Sequence, residues 1–448
     1  MSRTKRIISM LLVLALIFSM AVLVGCTKTE ETTNPEASTG TATAPTTTEG
    51  AAPKEDIYLT YTNFSVGADK MEYLIQMITS FEKKNPGIRI TNNVVGYGEH
   101  FTQLATQIAA NNAPDCYELN MENFLSFMTR GTPADLGPLF DQAGASKDAY
   151  APGLINTCSY KGKMFAVPLM YSTVVLIYNK KLFDQAGVAY PTKDWTWNDE
   201  LEAAKKIRAL GPDIWGCFQE VQYWEFFKTV QQNGGNLSDV DGNPTLNSDA
   251  NVETLQYMVD RMFKWKVSPT DEERAGRPQG DLFKAGILGM FRGGVWFFTD
   301  FANSISKDDF GWDVQVEPGN KSKATHFFAN VACVSANSKH QLEAFKFINA
   351  MGCDADIAKI RLTAQWEIPA GSDPQLAKDY IAITPPDNKQ AVLDSMNYAV
   401  APPVLKQFNE LINAVNPLIS AMASSSNKKT AKEVLDECQK AVLDLKLE

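Results

Sequence analysis

Residues 160–204 decide the fold and read YKGKMFAVPLMYSTVVLIYNKKLFDQAGVAYPTKDWTWNDELEAA. The middle of this stretch, residues 164–178, is an apolar, β-branched and aromatic run that contains one proline, Pro168. Such a run predicts a buried strand, or two strands in line. Because proline cannot donate to a sheet ladder, Pro168 predicts a break or an edge within the run. A strand that leaves one sheet, breaks at a proline and enters another sheet would carry the chain between two lobes.

The composition agrees with a division into lobes. With 448 residues the chain exceeds one ordinary domain, so two lobes are the natural expectation. A hydrophobic fraction of 44% and a charged fraction of 21% are typical of a globular protein. The formal net charge of -10 argues against a nucleic acid as partner.

The N-terminus predicts targeting rather than fold. Residues 2–6 carry basic side chains, residues 7–24 are apolar, and Gly25 and Cys26 follow, a pattern similar to a bacterial lipobox. A plain signal peptide or a single membrane anchor is the alternative, but neither explains the Gly25-Cys26 pair. We therefore expect residues 1–25 to be a lipoprotein signal peptide and Cys26 to be acylated. Acylation would hold the protein in the lipid bilayer, on the extracytoplasmic face of the cell membrane.

The segment that follows the lipobox differs in composition from the rest of the chain. Residues 26–55 are rich in Thr, Ala, Glu and Pro and nearly lack large apolar side chains. Such a segment cannot bury enough surface to offset the entropy of ordering, so it predicts a disordered tether. The tether would hold a globular body away from the membrane.

The first part of that body alternates between strand and helix patterns. Strands are predicted at residues 57–61, 88–95 and 115–119, with helices between and after them. The first helix is expected to bury Met71, Leu74, Ile75, Ile78 and Phe81. This alternation is the βαβ pattern of a parallel sheet.

Polar and aromatic residues follow two of these strands. Ligands bind beyond the carboxyl ends of the strands in sheets of this kind. The candidate ligand contacts are therefore Thr62, Asn63, Phe64 and Ser65 at one strand end, and Glu118, Asn120 and Glu122 at the other. A solvated loop residue is the alternative for each of them.

A second candidate region is residues 282–298, LFKAGILGMFRGGVWFF, which predict a helix end, a short apolar strand and a glycine pair before Trp296. Glycines let the backbone approach a ligand closely, and an indole offers a flat apolar face with one donor. Trp296 is therefore a candidate ligand platform, with a core tryptophan as the alternative. Arg292 and Asp300 flank the segment, and either would bond ligand hydroxyls or form a surface ion pair.

Several motifs carry a family resemblance. The segments GKMFAVP, YNKKLFDQAG and TWNDELEAAKKI, in this order and spacing, resemble the extracellular solute-binding proteins of ABC importers, and within them the maltose-binding-like carbohydrate group of family 1. A further motif of that family is matched in register by Phe283, Gly286, Met290, Gly294 and Trp296, while Gly289 departs from its usual alanine. In the family the tryptophan of this motif often stacks on the sugar, which maps that role onto Trp296.

The resemblance covers nearly the whole chain after the tether. It implies an α/β fold of the periplasmic-binding-protein type, with two Rossmann-like lobes joined by a three-segment hinge. The crossings are expected near Pro168, at residues 317–320 and at residues 364–370. The predicted boundaries are residues 56–169 and 319–368 for lobe 1, and residues 170–318 and 369–448 for lobe 2. Helices near residues 375–381, 404–418 and 431–445 are expected to pack on lobe 2.

The implied function is that of a substrate-binding lipoprotein of an ABC importer. Such a protein captures a sugar in the interlobe cleft and delivers it to the permease. The resemblance implies a monomer without catalytic residues, cofactors or a metal. The predicted sugar platforms are Tyr171, Trp224, Trp296 and Trp366, the last of which departs from a usual small residue. Several platforms favour an oligosaccharide over a monosaccharide.

Two other functions stay open. One is a binding protein for a non-sugar solute, such as a peptide, a polyamine or a metal chelate. The acidic candidates Glu118, Glu122 and Asp300 would suit a cationic ligand, whereas the aromatic residues favour sugar. A secreted glycoside hydrolase would need paired carboxylates. The sequence shows no distinctive acid pair and no HExxH, GxSxG or P-loop motif.

The cysteines leave one structural alternative open. Besides Cys26 they are Cys116, Cys158, Cys217, Cys333, Cys353 and Cys438, scattered without CxxC spacing. An even number outside the cytosol permits disulfides, but small buried apolar side chains are the favoured interpretation, since a long chain needs no cross-links. Residues 239–243, DVDGN, superficially resemble a calcium loop but lack its ligand spacing, which favours a turn.

Overall fold

The computed structural model describes residues 55–151, 153–306, 308–402 and 405–445. The predicted signal peptide, the acylated Cys26 and the predicted tether up to residue 54 lie outside the described residues. All described residues belong to one compact unit. None of the helices within the described ranges combines the length and the apolar character that a membrane crossing requires.

Strands and helices alternate through most of the described chain. The strands are β1 (Ile57–Asn63), β2 (Ile88–Val94), β3 (Cys116–Asn120), β4 (Ser159–Tyr160), β5 (Lys163–Met164), β6 (Val167–Asn179), β7 (Trp215–Phe218), β8 (Leu288–Gly294), β9 (Trp312–Gln315), β10 (Thr325–Val334), β11 (Ile368–Pro369) and β12 (Ala399–Val400). The helices are α1 (Met71–Lys84), α2 (Tyr97–Ala109), α3 (Met121–Thr129), α4 (Gly137–Ala143), α5 (Leu154–Thr157), α6 (Lys180–Gln185), α7 (Trp197–Arg208), α8 (Tyr223–Gln232), α9 (Asp249–Phe263), α10 (Asp271–Arg274), α11 (Gln279–Lys284), α12 (Phe298–Ser304), α13 (Gln341–Cys353), α14 (Ala355–Thr363), α15 (Gln375–Ala382), α16 (Gln390–Ser395), α17 (Phe408–Ser420) and α18 (Ala431–Leu445).

A ten-stranded mixed sheet runs through the molecule, with the main order β2-β1-β3-β10-β6-β8-β7. Strand β1 pairs in parallel with β2 and β3, as the alternation of strands and helices predicts. Strand β10 is antiparallel to β3 and to β6. At the other end, β8 and β9 are antiparallel to β6, and β7 is parallel to β8. The mixed sheet thus contains the predicted parallel part in its first three strands.

The long strand β6 belongs to both parts of this sheet. Residues 167–173 pair with β10, whereas residues 174–179 pair with β8 and β9. The change of partners between Thr173 and Val174 carries the chain from one part of the sheet into the other. The long apolar run is therefore one buried strand, as predicted, but it links two parts of a single sheet and does not pass from one sheet into a second.

The strand does not break at Pro168, and that prediction was wrong. Strand β6 is continuous through the proline. The ladder with β10 instead shifts register between Asn330 and Val331, which face Met170 and Pro168. The residue of β6 that this shift leaves without a partner is Leu169, next to the proline, so the irregularity lies beside the residue that has no N–H group. Pro168 therefore marks a pairing irregularity, and the crossing lies further along the strand.

Buried apolar side chains form separate clusters on the two sides of the change of partners. One cluster packs Leu59, Phe81 and Phe347 against the first part of the sheet. Another packs Val175, Phe226 and Phe291 against the second part. Helices α15, α17 and α18 join the second cluster, as predicted for the C-terminal helices. The cores thus follow the two parts of the sheet.

Two local predictions differ from the structure. Ile75 of α1 is 55% exposed, and Met77 is buried in its place. The buried face of α1 is Leu74, Met77, Ile78 and Phe81, which repeats at the spacing of one helical stripe and leaves Ile75 beside it. Helix α17 begins at Phe408 and not near residue 404, which lies outside the described residues.

The cysteines and residues 239–243 take their favoured interpretations. The six described cysteines are free thiols, and five of them are buried. Residues 239–243 form a turn in which Asp239 Oδ1 accepts from the N–H groups of Asp241 at 3.0 Å and Asn243 at 2.8 Å. Among the described residues, no group of three or more His, Cys, Asp or Glu side chains is placed to hold a metal ion.

Candidate functional site: a cavity at the strand ends

A cavity of about 490 Å3 opens where the two parts of the sheet meet. Its volume is within the range of small-molecule sites, about 300–1,000 Å3. Its lining consists of Phe64, Ser65, Tyr97, Asn120, Val174, Glu220, Gln222, Trp224, Glu225, Gln279, Arg292, Gly293, Trp296, His326, Phe328, Asn330 and Glu367. Aromatic, amide and acidic side chains therefore dominate the lining.

The strand ends place these residues. Phe64 directly follows β1 and Asn120 ends β3, so both lie at the carboxyl ends of parallel strands, where the topology predicts a ligand. Val174 is the first residue of β6 beyond the change of partners. Trp296 lies just past the end of β8. Both parts of the sheet thus contribute to one cavity.

Aromatic rings form a wall of this cavity. Phe328 of β10 lies between the two tryptophans, with ring centroids 5.4 Å from Trp296 and 6.3 Å from Trp224. The ring of His326 stacks on Phe328 at 3.7 Å with an interplanar angle of 5°. The wall therefore presents several flat faces to whatever occupies the cavity.

The glycine pair before Trp296 has a steric cause. A Cβ atom on Gly294 would lie 1.9 Å from Cζ3 of Trp296. The indole folds back over Gly294, and only a residue without a side chain leaves room for it. The neighbouring Gly293 lines the cavity directly. One glycine thus positions the tryptophan and the other opens the backbone to the cavity.

Four polar atoms on lining side chains are buried without a hydrogen-bond partner among the described residues. They are Gln279 Oε1, His326 Nδ1, Glu367 Oε2 and Arg292 Nε, of which the last lies 3.1 Å from Glu317 in an ion pair. Buried polar atoms in proteins are nearly always hydrogen-bonded. These atoms are hidden from solvent, so a ligand bonds to them only if the lining side chains move slightly.

Six of the predicted site residues line the cavity: Phe64, Ser65, Asn120, Trp224, Arg292 and Trp296. The side chain of Asn120 caps α3 by accepting from Asn123 N at 3.2 Å. Its Nδ2 donates to the hydroxyl of Tyr97 at 3.3 Å. Asn120 therefore joins a strand end, a helix start and the aromatic lining.

Arg292 lines the cavity with a guanidinium group that is already paired. Its terminal nitrogens donate to Glu200 at 2.6 and 2.7 Å, and its Nε lies 3.1 Å from Glu317. All three side chains are buried. The sequence suggested that Arg292 would either form a surface ion pair or bond ligand hydroxyls. The structure matches neither, because its ion pair is buried and its terminal nitrogens are already bonded to Glu200.

Asn63 and Glu118 lie behind the lining. Oε2 of the buried Glu118 accepts from Ser65 Oγ at 2.9 Å, which holds the loop that carries Phe64. Burial raises the pKa of Glu118 to about 7. Asn63 donates to Asn92 Oδ1 at 2.6 Å. Both residues support the lining and do not form it.

The structure places Tyr171, Asp300 and Trp366 outside the cavity lining. Tyr171 packs against Phe327 with 6.4 Å between ring centroids. Asp300 forms an ion pair with Lys284 at 2.8 Å, which was its alternative interpretation. Trp366 is 2% exposed and belongs to the core beneath the first part of the sheet.

Reasoning from the sequence missed several lining residues, namely Tyr97, Glu220, Gln222, Glu225, Gln279, His326, Phe328, Asn330 and Glu367. His326, Phe328 and Asn330 alternate along β10 and so share one face of the strand. This spacing is visible in the sequence, but it does not tell which face of the strand is open. Glu367 lines the cavity while its neighbour Trp366 is buried, because adjacent side chains of an extended segment point to opposite sides.

Two contacts join early and late parts of the chain beside the cavity. Lys70 Nζ donates to the backbone carbonyl of Trp296 at 3.1 Å. His326 Nε2 lies 3.0 Å from Glu122 Oε1. Lys70 is buried and also pairs with Asp69 at 3.2 Å. The bond from Lys70 to Trp296 joins the two parts of the sheet beside the cavity, whereas Glu122 and His326 both belong to the first part.

Comparison with known proteins gives a family. Residues 65–354 match the family model described as bacterial extracellular solute-binding protein. An arabinooligosaccharide-binding protein of Bacillus subtilis is 28% identical over 195 residues, which are 42% of this chain and 44% of that protein. The diacetylchitobiose binding protein DasA of Streptomyces coelicolor is 26% identical over 254 residues, 55% of this chain and 58% of that protein. The matched region thus spans only about half the length of these curated relatives.

Solved structures share the fold over nearly all of their length. The ABC substrate-binding protein Lmo0181 from Listeria monocytogenes, in complex with cycloalternan, is 37% identical and superposes with a TM-score of 0.83. That match covers 87% of this chain and 99% of the Listeria chain. Maltose-bound T. maritima MalE3 is 20% identical with a TM-score of 0.74, covering 87% of this chain and 99% of its own. The fold is therefore that of the maltose-binding-like solute-binding proteins.

Proposed function

We propose that this protein, which belongs to the bacterial extracellular solute-binding protein family, captures an oligosaccharide in the cavity and delivers it to the permease of an ABC importer. The observation that carries the proposal is the lining, which joins several aromatic faces with unpaired polar atoms. The arabinooligosaccharide- and cycloalternan-binding relatives support a saccharide as the ligand. The family is one of solute-binding proteins, and we propose that the ligand leaves the cavity unreacted.

A saccharide fits this lining for two physical reasons. Its C–H faces lie against aromatic planes, for which Trp224, Trp296 and Phe328 are the proposed platforms. Its hydroxyl groups need partners once they leave water, and Gln279 and Glu367 offer buried acceptors. Several platforms in one cavity favour an oligosaccharide.

We propose that the two predicted lobes close on the ligand about a three-segment hinge. The change of partners in β6 supports one hinge segment, and the pairing of β11 with β6 at Met170 and Tyr171 supports another. The two separate cores support lobes close to the predicted boundaries. A ligand drives closure only through its higher affinity for the closed state. The bond from Lys70 to the carbonyl of Trp296 would stabilise that closed state.

We also propose that Cys26 is acylated and anchors the protein on the extracytoplasmic face of the membrane, and that the protein acts as a monomer. The family, which is extracellular, supports this location. Metabolic labelling with a fatty-acid analogue tests the anchor, because a Cys26→Ala variant should lose the label. A variant that keeps the label would contradict the proposal.

A binding screen tests the function. We expect at least one member of a panel of arabinooligosaccharides, maltooligosaccharides and cycloalternan to raise the melting temperature, while peptides and polyamines do not. A ligand at a hundredfold excess over its dissociation constant stabilises by about 2.7 kcal/mol. Chromatography of the incubated sugar should recover it unchanged. Stabilisation by a polyamine alone would contradict the proposal in favour of a binding protein for a non-sugar solute. Release of a shorter sugar would contradict it in favour of a glycoside hydrolase.

The variant Trp296→Ala tests the site itself. We expect at least about tenfold weaker binding of the sugar found in the screen, because an indole platform is lost. Tyr58→Ala is the matched control, since Tyr58 is an aromatic residue that is 68% exposed and does not line the cavity. Equal affinity in the two variants would remove Trp296 from the site.

A further inference from the structure

Three carboxylates line the cavity: Glu220, Glu225 and Glu367. Glu220 accepts from Gln222 Nε2 at 2.5 Å, so its bonding partner in the lining is a neutral amide. Glu367 Oε2 is buried without a partner among the described residues. Negative charge therefore reaches the cavity at more than one point of its lining.

The cations of this region are already engaged. Arg292 is bound to Glu200, as described above. Lys228 lies 2.9 Å from Glu225 and 2.8 Å from Glu317. An anionic ligand would therefore find each of these cations already paired with a carboxylate.

Cations behind the lining are engaged as well: Arg261 pairs with Glu200 at 3.1 Å, and Arg274, which lowers the pKa of Glu220, pairs with Asp271 at 2.8 Å. Lys70 is bonded to Asp69 and to the carbonyl of Trp296. The guanidinium of Arg361 lies 4.7 Å from the Trp366 ring and is fully buried in the core. Neither side chain lines the cavity. Apart from Arg292 and His326, which pair with Glu200 and Glu122, the acidic and basic side chains that line the cavity are therefore carboxylates.

Burial and mutual repulsion act on these carboxylates in the same direction. Burial raises the pKa of Glu220, and the neighbouring Glu225 raises it further. Burial likewise raises the pKa of Glu367, against the opposing pull of Lys70. A positive group in the cavity relieves this unfavourable ionisation, and a negative group adds to it.

We propose that the cavity selects saccharides by charge: an amine-bearing saccharide binds more tightly than its uncharged counterpart, and a saccharide with a carboxylate or phosphate group binds most weakly. This inference rests on the proposed sugar-binding function and names the class of sugar that the site takes. The amine is bound beside Glu220 or Glu367, and the uncharged part of the sugar lies on the aromatic wall.

Calorimetric titration of matched sugars tests the order. Two series of trisaccharides, one α-1,4-linked and one β-1,4-linked, each contain an all-glucose member, a glucosamine-bearing member and a glucuronic-acid-bearing member. At neutral pH and physiological salt we expect the acidic member to bind at least about tenfold more weakly than the neutral one, and the amine to bind several-fold more tightly. An acidic member within about threefold of the neutral member, or a neutral member tighter than the amine, overturns the inference.

A second arm replaces the carboxylates. In a Glu220→Gln, Glu367→Gln double variant the affinity ratio of the amine to the acidic sugar should fall toward one, while a matched Glu202→Gln variant keeps the original ratio. Glu202 is exposed and does not line the cavity. A melting curve for each variant verifies folding, and either single variant replaces the double variant if the latter does not fold. An unchanged ratio in folded variants overturns the inference.

The outcomes separate the two proposals. If neutral and acidic sugars bind equally, the proposed function stands and the charge selection fails. If no sugar in either series or in the wider screen binds, the proposed function fails, and the charge selection fails with it.

Discussion

The two walls of the cavity both have carboxylates behind their lining, but they neutralise these groups differently. Behind the wall formed by β8, Glu200 lies 3.1 Å from Arg261 and 2.6 Å from Arg292. Behind the wall formed by β1 and β3, Glu118 accepts from the hydroxyl of Ser65 at 2.9 Å and from backbone N–H groups. One wall therefore depends on paired charges and the other on neutral donors.

This difference sets how each wall responds to pH. Burial opposes the ionisation of Glu200, but Arg261 and Arg292 outweigh burial and lower its pKa. For Glu118 burial dominates and raises the pKa to about 7. The wall at β8 thus keeps its charges near neutral pH, whereas a proton on Glu118 is gained or lost there. The ion pairs therefore keep Glu200 charged near neutral pH, whereas the hydroxyl and backbone donors do not keep Glu118 charged there.

The largest expected effect comes from breaking the paired wall. Glu200→Ala would leave Arg261 buried without a carboxylate and Arg292 with Glu317 as its one remaining carboxylate, which should lower the free energy of unfolding by about 3–5 kcal/mol in urea titrations. Glu202→Ala on the same helix is the control, because Glu202 pairs only with Lys205 at an exposed site and should cost at most about 1 kcal/mol. Similar losses in both variants would show that the buried pairs contribute no more than a surface pair.

The second prediction concerns pH and the other wall. The folded-state pKa of Glu118, about 7, exceeds its ordinary value of 4.5. The folded protein therefore binds an extra proton between these values, so the free energy of unfolding should fall as pH rises from about 4.5 to 7 and change little above that. The contribution is on the order of 2–3 kcal/mol.

The variant Glu118→Gln isolates this contribution. Glutamine keeps an acceptor for Ser65 but does not titrate, so the difference in stability between pH 5 and pH 8 should be smaller than in the parent protein. Glu72→Gln, at an exposed position of α1, should leave the difference unchanged. An identical pH dependence in the parent protein and in Glu118→Gln would contradict the contrast between the walls.

The smallest expected effect concerns the contact between the walls. Lys70→Met removes the bond to the carbonyl of Trp296, and we expect saccharide affinity to fall about fivefold, which corresponds to roughly 1 kcal/mol. Lys83→Met, on the exposed side of α1, is the matched control. If Lys70→Met binds as tightly as the control, the bond does not favour the ligand-bound state.

Local sequence patterns were enough to predict the elements and much of their order. The run at residues 164–178 predicted the long buried strand that links the two parts of the sheet, because apolar and β-branched side chains favour a buried strand wherever they occur. Residues 431–445 predicted α18 at its observed bounds. The GGVW segment predicted Trp296 as a ligand platform. The position of its ring over Gly294 depends on a contact between residues only two positions apart. Each of these features depends on residues close in the sequence.

Which side chains line the cavity depends on contacts between residues that are far apart in the sequence. Arg292 pairs with Glu200, 92 residues away, and nothing near either residue in the sequence indicates that partner. Trp366 lies in the core while Glu367 lines the cavity, a choice that depends on which face of the segment meets the rest of the fold. Partners across the fold compete for each side chain, and their positions exist only once the chain has folded.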